Sequence, residues 1–338
     1  MKEKFEKVAV LGAGVMGAQL AAHLSNAGVP SYLFDISQEL AEKGLKTVLE
    51  LKPAPFYNPK TASLITPCNY DDHIEKLKEV DWVIEAVIER LDIKHSIFKQ
   101  IEPHLRSNTV VSSNTSGLSI KSMMEPMSPE FHKRFLVTHF FNPPRYMRLL
   151  ELVGGEKIEP EVIEIIANFC ENVLGKGLVY AKDTPNFIAN RIGTFGMMLT
   201  LSLTEKMKLA VEEVDKLTGT IVGRPKSATF RTADLVGLDT LAHVARNTHE
   251  FCPDDEAREI FQVPEFLQKM LDQGLLGQKS KKGFYQKVDK EILSLDLQTL
   301  EYTPQKQVRF DGYRVAKGYT NTAERINALA YSDDPAGN

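Results

Sequence analysis

Cysteine is scarce in this chain. Cys68, Cys170 and Cys252 are the only three among 338 residues, odd in number and far apart. Such spacing fits neither a disulfide framework nor a zinc motif, and it suits a reducing compartment. Long apolar runs are also lacking: none approaches the roughly 18–20 residues that a membrane helix requires. The opening MKEKFEKVAV passes directly into a strand-like segment, with no apolar signal region before it. Neither charge sign is in excess, since 41 basic and 45 acidic residues leave a net −4. That balance excludes a binder of nucleic-acid backbones, which needs a basic surplus. Internal repeats and low-complexity tracts are absent. What remains is a cytoplasmic globular protein without membrane insertion, long enough for two domains of roughly 100–200 residues each.

The first half alternates short β-rich runs with amphipathic stretches. Val8–Leu11, Tyr32–Asp35, Trp82–Ile84, Val110–Ser112, Phe135–Thr138 and Leu149–Val153 read as strands. Helical patterns separate several of them, as in Ile93–Leu105. Strands alternating with helices of about 10–15 residues imply crossover units and a buried, mostly parallel sheet. Near Asp183-Thr-Pro the texture changes, and apolar residues from Phe187 onward recur at helical spacing without a convincing strand. The expected organisation is a doubly wound α/β domain over 1–183 and an all-α domain over 184–287. Residues 288–338 read as a linker-like appendix, with a hairpin near Ile292–Tyr302 and a helix at Thr322–Ala330.

The strongest local signal is Gly12-Ala-Gly14-Val15-Met16-Gly17, which follows the first strand and opens a helical pattern at Ala18–Ala27. In such a loop the first glycine permits a tight turn, the second lets backbone approach a pyrophosphate, and the third lets helix pack on strand. The helix N-terminus then offers unpaired N–H groups to the anion. A second strand ends at Asp35, 18 residues after Gly17. An acid there accepts hydrogen bonds from ribose hydroxyls and repels a 2′-phosphate, so this reads as a Rossmann-type domain for NAD rather than NADP.

A second constellation lies further on. His139 ends the apolar run Phe135–Thr138, where ligands collect in open α/β sheets. Twelve residues later Glu151 sits inside the apolar run Leu149–Val153. A carboxylate placed there needs a partner, and an imidazole held by a buried acid makes a general base near neutral pH.

These segments, together with Val111-Ser-Ser-Asn114-Thr-Ser116, His139-Phe-Phe-Asn142-Pro143, Asp183-Thr-Pro-Asn-Phe-Ile-Ala-Asn190-Arg191, Asp234-Leu-Val-Gly-Leu-Asp-Thr240 and Leu276-Gly-Gln-Lys-Ser-Lys-Lys-Gly-Phe-Tyr285, resemble the L-3-hydroxyacyl-CoA dehydrogenase family of fatty-acid β-oxidation. The match runs in order over about residues 5 to 286. It implies His139 as acid–base group, Glu151 as its orienting partner, and Ser116 and Asn190 at the reacting oxygens of an acyl-CoA substrate. Cofactor contacts are implied for Gly12, Gly14, Val15, Met16, Gly17, Asp35, Glu89, Lys94, Asn114, Ser116, Asn142 and Lys279. Read singly, several have plainer roles: Ser116 suits a helix cap before Leu118, Glu85 and Glu89 a solvated helix start, and Lys279–Lys282 a charged surface loop.

The chain departs from the short family members in two places. The stretch after Asp35 is short and contains Lys52-Pro-Ala-Pro-Phe-Tyr-Asn-Pro59, which no continuous helix accommodates. Gly223-Arg-Pro-Lys-Ser-Ala-Thr-Phe-Arg231 also replaces a more familiar segment. That variant, the Asn-Phe-Ile-Ala-Asn-Arg-Ile-Gly form at 186–193 and the appendix from 288 resemble the dehydrogenase module of long multidomain bacterial β-oxidation proteins. They imply a piece of a longer chain, acting as a homodimer or docked against further C-terminal domains. The competing readings are a β-hydroxyacid dehydrogenase using a helix-borne lysine and a non-catalytic relative that keeps only the fold.

Overall fold

The computed structural model describes residues 5–337. It divides into two compact units, with the boundary between Ile188 and Ala189.

The first unit is built on an eight-stranded sheet: β1 Val8–Leu11, β2 Ser31–Asp35, β3 Ile65–Asn69, β4 Trp82–Glu85, β5 Val110–Ser113, β6 Phe135–Phe140, β7 Leu149–Gly154 and β8 Gly177–Ala181. Their order is β3-β2-β1-β4-β5-β6-β7-β8, and every neighbouring pair is parallel except β6–β7. The order turns back between β1 and β4, the topological switch point at which such sheets bind ligands. Interior strands are fully buried because both faces are covered. Val8 and Val10 of β1 join one apolar cluster, and Ala9 and Leu11 join the other. This two-sided burial is why these strands read as continuous apolar runs.

Helix α1, Val15–Asn26, follows the glycine loop, and the next helix, Gln38–Glu50, ends before the proline-rich segment 52–59. That segment forms loop and a short 3-10 turn, Pro59–Leu64.

The second unit opens with helices Ala189–Met207, Val211–Leu217, Phe230–Val236, Leu238–Phe251 and Glu265–Asp272. Its core joins Met198, Leu201, Phe230, Leu267, Met270 and Phe284. Here the structure modifies the sequence reading. An antiparallel sheet of β9 Tyr285–Val288, β10 Glu291–Leu295 and β11 Tyr302–Pro304 begins where the helical domain was expected to end. Leu295 is buried in the helical core, so residues after 288 fold onto this unit rather than trailing from it. Two carboxylates staple the start of β9. Asp234 accepts the N–H groups of Phe284 and Tyr285 at 2.8 and 2.9 Å, and Asp215 accepts the Tyr285 hydroxyl at 2.9 Å. The helix Thr322–Ala330 lies where the sequence placed it, with Leu329 packed beside Ile221 and Ala316.

Candidate active site

The glycine loop lies at the carboxyl end of β1. Gly12 has φ +98°, and a Cβ there would stand 2.8 Å from the Ala86 carbonyl oxygen, so the turn requires glycine. At Gly17 a Cβ would fall 1.8 Å from the Gly12 carbonyl oxygen. Gly14 differs, because nothing lies within 4 Å of its Cβ position. The open space sits at the N-cap of α1, whose first turn carries no acidic residue and no side-chain cap. An anion would meet unpaired N–H groups and the positive end of the helix there, so the residues present fit a pyrophosphate. Val15 and Met16 form the first helical residues behind this opening. Asp35, at the end of β2, accepts the Ala13 N–H at 2.7 Å and the Ile36 N–H at 2.8 Å, which ties the acid to the glycine turn.

The register of the single antiparallel pair sets the second half of the site. His139 of β6 lies directly opposite Glu151 of β7, so both side chains project from the same face. A slip of one residue would send them to opposite faces. His139 Nδ1 donates to Glu151 Oε2 at 2.7 Å, with the His139 side chain 5% exposed and that of Glu151 1%. Glu151 Oε1 accepts the Ile188 N–H at 3.0 Å, so both oxygens are engaged. Because Nδ1 carries the shared proton, the lone pair is left on Nε2. The rings of Phe141 and Phe187 flank the imidazole, with centroids 4.4 and 5.6 Å away.

Neighbouring loops are tied to this pair. Asn114 Oδ1 accepts the N–H of Phe140, the residue after His139, at 2.9 Å. Asn142 Oδ1 accepts Gln19 Nε2 of α1 at 2.9 Å, which joins the loop after β6 to the cofactor helix. Ser116 has an exposed side chain and is no helix cap. The helix Ile120–Met124 is instead held by Asp183, whose carboxylate accepts the Ser119 hydroxyl at 2.9 Å and the Ile120 N–H at 3.0 Å. The Ser116 N–H donates to Glu89 Oε1 at 2.8 Å, and Lys94 is buried between Glu89 and Glu85.

Asn190 is the second residue of the helix Ala189–Met207, and Lys279 is half exposed and paired with Asp239; both belong to the second unit. Sequence reasoning offered Glu85 as part of a solvated helix start, which its complete burial at the end of β4 corrects, and it left Gln19 and the capping role of Asp183 unassigned. Glu85 carried a signal close to that of Glu151, a carboxylate adjoining an apolar strand run, whereas the partners of Gln19 and Asp183 lie 123 and 63 residues away.

A glycine turn tied to the acid that ends the second strand, at the switch point of a parallel sheet, defines a dinucleotide-binding domain. Family models identify the type. The NAD-binding domain of 3-hydroxyacyl-CoA dehydrogenase matches residues 7–184, and the C-terminal domain of the same family matches residues 187–287. A probable 3-hydroxyacyl-CoA dehydrogenase of Bacillus subtilis is 46% identical, covering 100% of this chain and 45% of its own length. A second of that name, from Deinococcus radiodurans, is 45% identical over 85% of this chain and 84% of its own. The solved structure of an (S)-3-hydroxybutyryl-CoA dehydrogenase from Ralstonia eutropha superposes with a TM-score of 0.72 at 27% identity, covering 83% of this chain and 98% of that one. The chain belongs to the 3-hydroxyacyl-CoA dehydrogenase family, and it spans less than half the length of the Bacillus relative. Among the described residues no helix is long and apolar enough to cross a membrane.

Proposed function

We propose that this chain oxidises L-3-hydroxyacyl-CoA to 3-oxoacyl-CoA with NAD, as a step of fatty-acid β-oxidation in the cytoplasm. The carrying observation is the 2.7 Å hydrogen bond between His139 and Glu151 on paired strands. The backbone of Gly12–Gly17 and the Asp35 carboxylate would hold the dinucleotide, which when bound supplies the hydride acceptor. His139 Nε2 takes the proton of the 3-hydroxyl as the carbon centre is oxidised. Glu151 holds the ring in that tautomer and stabilises the imidazolium without accepting the proton itself. In the reverse direction the protonated imidazole returns the proton to the ketone oxygen. Ser116 donates a hydrogen bond to the reacting oxygen, and Asn114 and Asn142 keep the loops at the nicotinamide end in place. The aromatic rings of Phe141 and Phe187 exclude water from one side of the imidazole. Three buried free thiols, Cys68, Cys170 and Cys252, agree with a reducing compartment.

The test is NADH formation from short-, medium- and long-chain L-3-hydroxyacyl-CoA, with acetoacetyl-CoA reduction as the reverse assay. Turnover is expected in both directions. Absence of NADH with every chain length, in protein that binds NAD, would sink the assignment.

A further inference from the structure

The floor beneath Ser116 is built from charges that the proton transfer does not use. Glu85 ends β4 with its side chain 0% exposed, and Lys94, on the helix Leu91–Ile101, is 1% exposed. Buried ions persist only where close partners offset their lost hydration. Lys94 Nζ donates to the two Glu85 oxygens at 2.7 and 2.8 Å, and Glu85 also accepts the Val87 N–H at 2.8 Å and the Ser113 hydroxyl. The same ammonium lies 3.2 Å from Glu89 Oε2. The other Glu89 oxygen accepts the Ser116 N–H at 2.8 Å and the Thr115 hydroxyl at 2.5 Å. The stretch between is tied to the same floor: the Asn114 N–H donates to the Glu85 carbonyl at 2.7 Å, and the Thr115 N–H to Ser113 Oγ at 3.1 Å. Ser113, Thr115 and Ser116 thus each donate a hydrogen bond to a carboxylate that this ammonium holds, and the Asn114 N–H donates to the backbone of the same Glu85.

We propose that Glu85 and Lys94 are positioning residues for the dehydrogenase reaction: a buried ion pair that, through Glu89, fixes the backbone at Ser116 and thereby the direction of its hydroxyl. The proposal rests on the reading of Ser116 as the substrate-facing donor. It is a role beyond the cofactor contact that the family resemblance implies for Glu89 and Lys94. An apolar pair of equal volume would fill the space, but it would not hold Glu89. That carboxylate is 40% exposed, and without the ammonium it swings into water and releases the Ser116 N–H.

Glu89→Ala carries the test, because it leaves the buried pair in place. At saturating NAD it is expected to lower kcat about tenfold, the scale of one lost charge-assisted hydrogen bond, over and above any change in the NAD dissociation constant. In a Ser116→Ala background, where no hydroxyl remains to be misdirected, the same substitution is expected to have an effect below about twofold. An equal factor in both backgrounds overturns the proposal, as does weakened NAD binding with kcat unchanged. A Ser116→Ala enzyme with full kcat overturns it too. Amide hydrogen exchange over residues 113–118 judges the proposal without turnover: it is expected to quicken in Glu89→Ala, and unchanged exchange refutes the link even were the unaltered protein inert, an outcome that would separately sink the functional reading. The double variant Glu85→Gln/Lys94→Met, which leaves no unpaired charge, is expected to reproduce the kcat loss. A folded double variant with full kcat counts against the pair.

Discussion

In the sheet unit the buried carboxylates of the site face an ammonium or an imidazole, as Glu85 faces Lys94 and Glu151 faces His139. In the helical unit Asp234 rests on two backbone N–H groups, and Asp215 on N–H groups, the Tyr285 hydroxyl and Arg231 at 3.7 Å. The first arrangement aims side chains; the second staples a hairpin to a core. Burial raises the Asp215 carboxyl and pushes Asp234 up to about 6, whereas burial and the nearby Lys176 push His23, in the sheet unit, down to about 4. Lys176 is itself lowered to about 8 by burial while its ammonium holds the carbonyls of Pro144 and Met147. Burial thus opposes the charging of two bases, His23 and Lys176, in the sheet unit and of two carboxyls, Asp215 and Asp234, in the helical unit.

The sharpest way to break the comparison is to destroy one unit alone. Gly17→Ala would force a Cβ into the Gly12 carbonyl, so α1 cannot close on the turn and the sheet unit is expected to lose its fold. Trp82 is the chain's one tryptophan and is fully buried in β4, so its fluorescence reports that unit specifically. Gly14→Ala, into open space, is expected to keep native Trp82 emission and weaken NAD binding. Native emission in Gly17→Ala would contradict the packing argument.

Next in size is the chemistry. His139→Gln is expected to lower kcat by at least about 100-fold, the low end for loss of a general base, with NAD affinity nearly unchanged. Near-native turnover in that variant removes His139 from the mechanism, whatever the quality of its hydrogen bond to Glu151.

How much of this could be read beforehand depended on position in the sheet. Interior strands were visible because burial on both faces demands apolar runs such as Val8–Leu11 and Trp82–Ile84. The two strands that escaped are the edges. β3 reads Ile-Thr-Pro-Cys-Asn, with a proline that only an edge tolerates, and β8 is half exposed along its length. The His139–Glu151 pair was legible from a charge inside an apolar run, which is a local signal. The Gln19–Asn142 bond and the Asp183 cap join side chains from distant segments, and no local pattern encodes which distant acceptor a polar group meets. The boundary of the helical core was obscured for a similar reason: β9 carries Gln286 and Lys287, polar residues that hide a strand stapled from below by Asp234.

The opposite titrations give effects of roughly 3 kcal/mol at most in each unit, from shifts of about two pH units. Asp234 has a folded pKa raised from 3.8 to about 6, so its contribution is complete below pH 3.8 and is lost as pH rises through 6. His23 is depressed from 6.5 to about 4, so its contribution is complete above pH 6.5 and is lost as pH falls through 4. Between pH 6.5 and 4 the denaturation midpoint read by Trp82 should fall, and His23→Gln should flatten that fall. Over the same window the helical unit should gain stability, followed as helical circular dichroism remaining after Trp82 has unfolded, and Asp234→Asn should remove the gain. Parallel slopes in the two units would refute the contrast between them.

The smallest expected effect concerns Lys279, which sits on the helical unit in an exposed pair with Asp239. Exposed pairs contribute about 0–1 kcal/mol and are screened by salt, so Lys279→Met should leave the denaturation midpoint within error. The cofactor contact that the family resemblance implies for Lys279 predicts that the same substitution raises the KM for NAD about fivefold, the scale of one exposed charge, and that the rise shrinks at high ionic strength. Asp239→Asn frees the ammonium from its partner and should move KM in the opposite direction. Unaltered KM in both variants would leave Lys279 as a surface charge and confine the cofactor contacts to the sheet unit, which is the outcome that most sharpens the difference between a unit that aims charges and one that is held together by them.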